Sequence, residues 1–583
     1  TAACVDTALR TEVDVFLDAY EQEYQALYYA WSEAEWASNT HIVEGDTTNA
    51  ARTRRTHEAY VEFVGSEENI DQIRSYLDLR DELTSLQVMQ LEKMLYMAAE
   101  GPQTIPDLVA ERIAAEAEQV ENLFGFEYRL RGRPITPNEM DQLLRTATDL
   151  SERRAVWEAS KEVGPVLKPG IVRLRDLRNE TVRALGYSDF FAYQVSDYGL
   201  STDQMLRITD QLIAQLRPLY REIHTWARYE LAERYGAPVP NMIPAHWLPN
   251  RWGQDWGALI EVEGINVDSA LGSQSAEWVM EQGELFYQSL GFDALPAVFW
   301  EKSSLYPLEP GADYKKNTHA SAWHMDVDTD VRSLMSVEPD PYWYETVHHE
   351  LGHVYYFMAY SNPDVPLVLR DGANRAYHEA IGSMIGLAAS QRQFLVNRGL
   401  APADAEVDQI QQLLKEALNH VVFIPWGAGV MTRFERSLYA DELPPEVFNA
   451  TWWDLKRRYQ GIVPPGRRGE EFADAITKTH INDDAAQYYD YALSEALLFQ
   501  LHDHIAREIL EQDPHDTDYY GGTGVGDFLE DLMAPGASRP WQEVLESTTG
   551  RALDAQAMVD YFQPLYEWLV EQNQGRTHTL PDL

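Results

Sequence analysis

Cysteine is nearly absent from this 583-residue chain: Cys4 stands alone, so no intramolecular disulfide can form and packing must hold the fold together. Lysine is scarce as well. Nine of the 47 basic residues are lysine, and they face 94 Asp and Glu, for a formal charge of −47. No Lys/Arg stripe stands out, and so acidic a surface would repel a phosphate backbone, which excludes nucleic acid as a partner. No run of about 18 apolar residues occurs, so no transmembrane helix is expected. Ser/Gly linkers, low-complexity tracts and internal repeats are also missing. What remains is a globular chain with 45% hydrophobic residues, read as a single folded unit spanning 1–583.

The acidic excess reads as a heavily hydrated surface, and its sharper reading is a saline habitat, where screening relieves self-repulsion. The opening Thr1-Ala2-Ala3-Cys4 places small residues before a cysteine, as bacterial lipoproteins do. The expectation is therefore a secreted or periplasmic protein, lipid-anchored through Cys4 as one form of this, with a cytoplasmic location as the alternative.

Apolar residues recur at helical spacing almost throughout. Val13, Phe16, Leu17, Tyr20, Tyr24, Leu27 and Trp31 form one stripe, and similar patterns run through 208–232, 410–422 and 488–505. The fold class expected is all-α. The best strand candidate is His319-Ala320-Ser321-Ala322-Trp323-His324-Met325, read as an edge strand, and the Gly/Pro-rich stretches 461–469 and 521–526 read as loops.

The sharpest chemical signal is His349-Glu350-Leu351-Gly352-His353. Imidazoles at i and i+4 lie on one helical face and can both reach a tetrahedral Zn²⁺, with a glutamate between them. Val347, Leu351, Val354, Tyr355 and Phe357 surround the pair with apolar bulk, and buried paired histidines call for a metal. A hydrolytic zinc needs a third protein ligand and one open position. Glu379, 26 residues after His353 in an apolar helical stretch, is the candidate, with the adjacent His378 as rival. Tyr488 and Tyr491, at i and i+3, read on their own as core aromatics, and Lys478 as a surface solubiliser.

At this point the chain resembles the angiotensin-converting-enzyme family of peptidyl-dipeptidases. The resemblance is carried by Val347-His348-His349-Glu350-Leu351-Gly352-His353 and His378-Glu379-Ala380-Ile381-Gly382, and by motifs in the same order along nearly the whole chain. These include Ala34-Glu35-Trp36, Asn250-Arg251-Trp252-Gly253-Gln254, His319-Ala320-Ser321-Ala322-Trp323, Gly372-Ala373-Asn374, Trp452-Trp453, Tyr459-Gln460-Gly461, Phe499-Gln500-Leu501-His502 and Ser538-Arg539-Pro540-Trp541. It implies a prolate, two-lobed helical peptidase with a deep central groove, only a few short strands and N-terminal lid helices at about 1–100.

The resemblance also assigns roles. One Zn²⁺ per chain is held by His349, His353 and Glu379, and Glu350 is general base and then acid. Tyr491 meets the oxyanion, an assignment that requires one inserted residue after His480. Gln254, Lys478 and Tyr488 take the substrate's terminal carboxylate. His319 and His480 bond the carbonyl after the cut, and Ala320 pairs with the extended peptide. The implied activity is that of a zinc peptidyl-dipeptidase, or dipeptidyl carboxypeptidase, acting on oligopeptides with a free C-terminus, and the expected state is a monomer. An oligoendopeptidase or metallocarboxypeptidase of the same helical superfold is the alternative. Gln254 speaks against the carboxypeptidase, whose family relative carries arginine there.

Three departures from the animal family pattern limit the transfer. Asp490 replaces an arginine that helps hold an activating chloride, so strong chloride activation through that position is not expected. Ser383 replaces an aspartate one turn after the glutamate ligand, and the animal disulfides cannot exist here. Together these features point to a bacterial, single-domain form.

Overall fold

The computed structural model describes residues 7–43, 45–262 and 265–583; Cys4 lies outside them. Helices dominate, and the described strands run two to four residues, in line with the all-α expectation. The chain forms two compact units. The first comprises Thr1–Pro106, Ile265–Glu406 and Leu501–Leu553, and the second Asp107–Gly264, Val407–Gln500 and Asp554–Leu583.

In the first unit the N-terminal stripe behaves as its spacing predicts. Within the helix Thr7–Thr40, Val13, Leu17, Tyr20 and Tyr24 are buried, with Phe16, Leu27 and Trp31 half-buried against them. Their partners are Tyr60, Val61 and Val64 of Thr48–Val64, Ile73 and Tyr76 of Glu67–Leu77, and Leu91, Met94 and Met97 of Ser85–Ala98. Each such aliphatic or aromatic side chain contributes about 1.5–3 kcal/mol on burial.

The expected edge strand is shorter than its pattern. It covers Ser321–His324 and pairs antiparallel with Val331–Leu334, Ser321 opposite Leu334 and His324 opposite Val331. Met325 turns into a tight loop in which the Asp326 carboxylate accepts the N–H groups of Asp328 and Asp330. Side-chain capture of backbone donors ends the ladder there. Of the 521–526 stretch only Gly521 and Gly522 are loop, because the helix Thr523–Met533 begins inside it. Gly526 allows this helix to close on the end of Ala276–Leu290: a Cβ there would sit 2.0 Å from the Leu290 carbonyl oxygen.

The second unit is built on the 33-residue helix Thr202–Arg234, which starts with a Ser201/Gln204 capping box and packs against Gln409–Ile424 and Gln563–Gln572. Buried cations are committed to carbonyls. The Arg153 guanidinium donates to the main-chain oxygens of Leu144, Ala147, His246, Trp247 and Leu248.

Burial also keeps several histidines neutral. It pushes His224 down to about 3, and His324 and His502 down to about 4. Protons thus bind the unfolded chain, near pH 6.5, before they bind the folded one, so this stability is present above about pH 6.5 and is lost as pH falls toward 4. Each group loses about 1.4 kcal/mol per pH unit across that window. Calorimetry at constant ionic strength should show Tm falling by about 5 °C between pH 7 and 4.5, and a flat profile would refute the linkage.

Candidate functional site

The metal motif sits on the helix Pro341–Tyr360 in the first unit. Asp340 caps it, its carboxylate accepting the Trp343 N–H at 2.8 Å, and Pro341 occupies the first turn, where a missing N–H costs nothing. The second helix, Arg375–Ser390, is capped by Asn374, which accepts the Tyr377 N–H at 3.2 Å. Two glycines bring these helices together. A Cβ on Gly352 would stand 3.2 Å from the Gly382 Cα and 3.1 Å from the Tyr287 hydroxyl, and one on Gly382 would meet the His349 ring at 3.0 Å. The Tyr287 hydroxyl also donates to the His348 carbonyl at 2.8 Å, tying the metal helix to its neighbour Ala276–Leu290.

That close approach brings together a candidate ligand set. The Nε2 atoms of His349 and His353 lie 3.1 Å apart, and with a Glu379 carboxylate oxygen all three ligand atoms fall within 4.8 Å of one another. A tetrahedral zinc with Zn–N bonds of about 2.05 Å separates its ligand atoms by about 3.3 Å, so the spacing fits the ion. Two imidazoles and one carboxylate are a hydrolytic donor set. Burial holds His349 down at about 4 and His353 well below the usual imidazole range, which keeps both rings in the neutral form that binds a metal.

Glu350 is buried beside them, and its Oε2 has no hydrogen-bond partner among the described residues. Burial, reinforced by the Glu379 carboxylate, pushes Glu350 up to about 8, and a divalent cation on the three ligands opposes that shift.

The two neighbouring histidines are accounted for otherwise. His348 donates its Nδ1–H to the Tyr344 carbonyl at 2.7 Å and packs its ring against Tyr344, Phe286 and Phe394. His378, the rival ligand, is held among the rings of Tyr356, Phe357 and Tyr360 and is not part of the ligand set. On the same unit, His319 is exposed and donates Nδ1–H to the Ala320 carbonyl at 2.8 Å. Ala320 directly precedes the Ser321–His324 strand, which among the described residues pairs on one side only.

The second unit gathers a different cluster. Lys478 is buried, and its Nζ donates to Gln254 Oε1 at 2.8 Å. The Tyr488 hydroxyl reaches the same oxygen at 3.4 Å while accepting the Trp426 indole N–H at 3.0 Å. The ammonium also lies over the Trp252 ring at 4.5 Å. Burial, with the Arg251 charge in support, pushes Lys478 down to about 7, so it gains from any anion that reaches it. His480 Nε2 lies 3.3 Å from the Tyr491 hydroxyl, and the His480 ring packs on Tyr488 at 5.1 Å. Local sequence reading gave no hint of Trp426 or of Phe423, whose ring stacks on Tyr488 at 5.9 Å. The Pro425-Trp426-Gly427 punctuation, where the helix Gln409–Ile424 widens into a π-turn, was the available signal.

A helical protein whose adjoining helices bring two histidines and a glutamate to one point, with a second buried glutamate alongside, belongs to the class of zinc metallopeptidases. The chain matches the family model described as angiotensin-converting enzyme, peptidase family M2, over residues 7–580. It is 32% identical over 602 residues to angiotensin-converting enzyme of Rattus norvegicus, covering 97% of this chain and 44% of the rat protein. It is also 35% identical over 454 residues to that of Sus scrofa, covering 75% of this chain and 34% of the pig protein. The chain belongs to the angiotensin-converting-enzyme family of zinc peptidases. It spans less than half the length of these relatives.

Proposed function

We propose that the protein is a zinc-dependent peptidyl-dipeptidase that releases dipeptides from the C-terminus of oligopeptides, the residues 1–583 working as one catalytic domain with the N-terminal helices as its lid. The observation that carries the reading is the buried ammonium of Lys478, held by Gln254 and roofed by Trp252 and Tyr488, in a chain with few lysines. Such a pocket suits a terminal carboxylate, which restores the charge-assisted bonds that burial denies the lysine.

When bound by His349, His353 and Glu379, zinc acts as a Lewis acid that acidifies water and polarises a carbonyl. Glu350, its Oε2 without a hydrogen-bond partner among the described residues, accepts the proton from water and returns it to the departing amine. The Tyr491 hydroxyl donates to the developing oxyanion, and His480 and His319 bond the carbonyl of the residue after the cut. The one-sided strand after Ala320 supports backbone pairing with an extended peptide. A secreted or periplasmic location and a monomeric state belong to the same proposal.

Mass spectrometry of a digested decapeptide tests the cleavage position. Losses in steps of two residues from the C-terminus support the reading, single-residue losses indicate a carboxypeptidase, and internal cuts an oligoendopeptidase. An inactive, zinc-free but peptide-binding protein would make it a scaffold.

Chloride provides a separate check. Asp490 is buried and accepts the Tyr198 hydroxyl at 2.6 Å, so a carboxylate stands where the resemblance puts a chloride-holding cation. Like charges repel, and strong anion activation through this position is not expected. Replacing acetate by chloride at constant ionic strength should change kcat less than about twofold; a many-fold rise would overturn this.

A further inference from the structure

The segment 484–491 carries Tyr488 and Tyr491, and it is held by contacts that its own sequence does not announce. Ala486 has φ of +64°, a left-handed conformation that strains a residue with a Cβ and persists only where the surroundings impose it. Its N–H donates to Glu435 Oε1 at 2.7 Å. Glu435 projects from the helix Thr432–Tyr439, fully buried, and its Oε2 has no hydrogen-bond partner among the described residues.

The cations near this carboxyl have other partners among the described residues: Lys478, close enough to feel its charge, donates to Gln254. Arg178, on the helix Gly164–Arg183, already donates to the Tyr439 hydroxyl, the Asn482 carbonyl and the Glu116 carboxylate. Asp484 and Asp490 add negative charge nearby, and burial pushes Glu435 up to about 8, so at neutral pH it is chiefly a neutral carboxylic acid. At the other end of the segment, the buried Asp490 accepts the Tyr198 hydroxyl at 2.6 Å, and the Tyr198 ring packs edge-on against Tyr489 at 5.5 Å. Two buried acidic side chains therefore hold the segment, one bonded to the backbone before the two tyrosines and one anchored between them.

We propose that Glu435 is a positioning residue: by clamping the strained Ala486 amide, with the Asp490–Tyr198 pair as second clamp, it fixes the backbone that presents the Tyr488 and Tyr491 hydroxyls. The kinetic consequence rests on the peptidase reading above; the clamp itself does not. Glu435 touches no substrate and acts only through the segment it holds.

The test compares Glu435→Leu, which removes the acceptor, with Glu435→Gln, which keeps a neutral acceptor oxygen for the Ala486 amide. Both are assayed with full zinc loading and well below their Tm. Glu435→Leu should lower kcat/KM for an oligopeptide by roughly 30- to 100-fold, the scale of loss that follows an ångström of misplacement, and Glu435→Gln should restore at least about a third of the wild-type value. Hydrogen exchange reads the clamp directly. Amides of 484–491 should exchange at least about tenfold faster in the Leu variant and near the wild-type rate in the Gln variant, with the rest of the chain unchanged. A loss of threefold or less in the Leu variant, or unaltered exchange of 484–491, would overturn the proposal. If the Leu variant does not fold, Tyr198→Phe decides by the same two readouts. A wild-type protein that cleaves no peptide would sink the peptidase reading, while the exchange comparison would still decide whether Glu435 holds the segment.

Discussion

Glu350→Gln is expected to abolish turnover while zinc stays bound at one per chain. The amide keeps the shape of the side chain but cannot accept a proton from water or return one to the leaving amine, and general acid–base catalysis of this kind contributes roughly 10²- to 10⁴-fold. The metal should be indifferent to the change, because the ligand atoms proposed for it belong to His349, His353 and Glu379, and Glu350 is not among them. Stability should hold or rise slightly in the metal-free protein, since the substitution removes a buried carboxyl that repels Glu379. Turnover of an internally quenched peptide, metal content by mass spectrometry and Tm together make the check. More than about a tenth of wild-type activity at full zinc loading would remove Glu350 from its role.

Tyr491→Phe should lower kcat by roughly 10²- to 10³-fold and leave KM within a few-fold, the pattern expected when a donor to an oxyanion is lost. The hydroxyl lies 3.3 Å from His480 Nε2, so its deletion also costs the resting protein one hydrogen bond, about 1 kcal/mol. That small, separable effect on Tm distinguishes lost chemistry from lost folding. A kcat within threefold of wild type would assign the oxyanion to another donor. The histidine contribution to the acidic limb of the stability profile is independent of Tyr491→Phe, because His224, His324 and His502 do not belong to the candidate site.

Much of the helical architecture was legible because burial repeats at the helical period. The 208–232, 410–422 and 488–505 patterns appear as Thr202–Arg234, Gln409–Ile424 and Tyr489–His504, each longer or shorter only at its ends. Ends depend on caps and on what packs across them, which periodicity does not carry. The strand at 319–325 shrank to Ser321–His324 because Asp326 captures the next backbone donors, and the loop at 521–526 gave way to a helix because Gly526 permits contact with a residue more than 200 positions away.

The sequence by itself placed two candidate metal ligands together, since the i, i+4 spacing of His349 and His353 sets both on one helical face whatever surrounds them. It also determined the all-α class, through the period of its apolar residues. The tertiary structure alone decided the rest. It enclosed His378 in aromatic rings and set Glu379 beside the two histidines, turned Lys478 from a solubiliser into a buried cation bonded to a glutamine 224 positions away, and set Glu435 against the Ala486 amide. The physical reason is common to all three. Burial and long-range hydrogen bonding are properties of the packed chain, and they set the charge, orientation and partner of a side chain that its neighbours in sequence leave open.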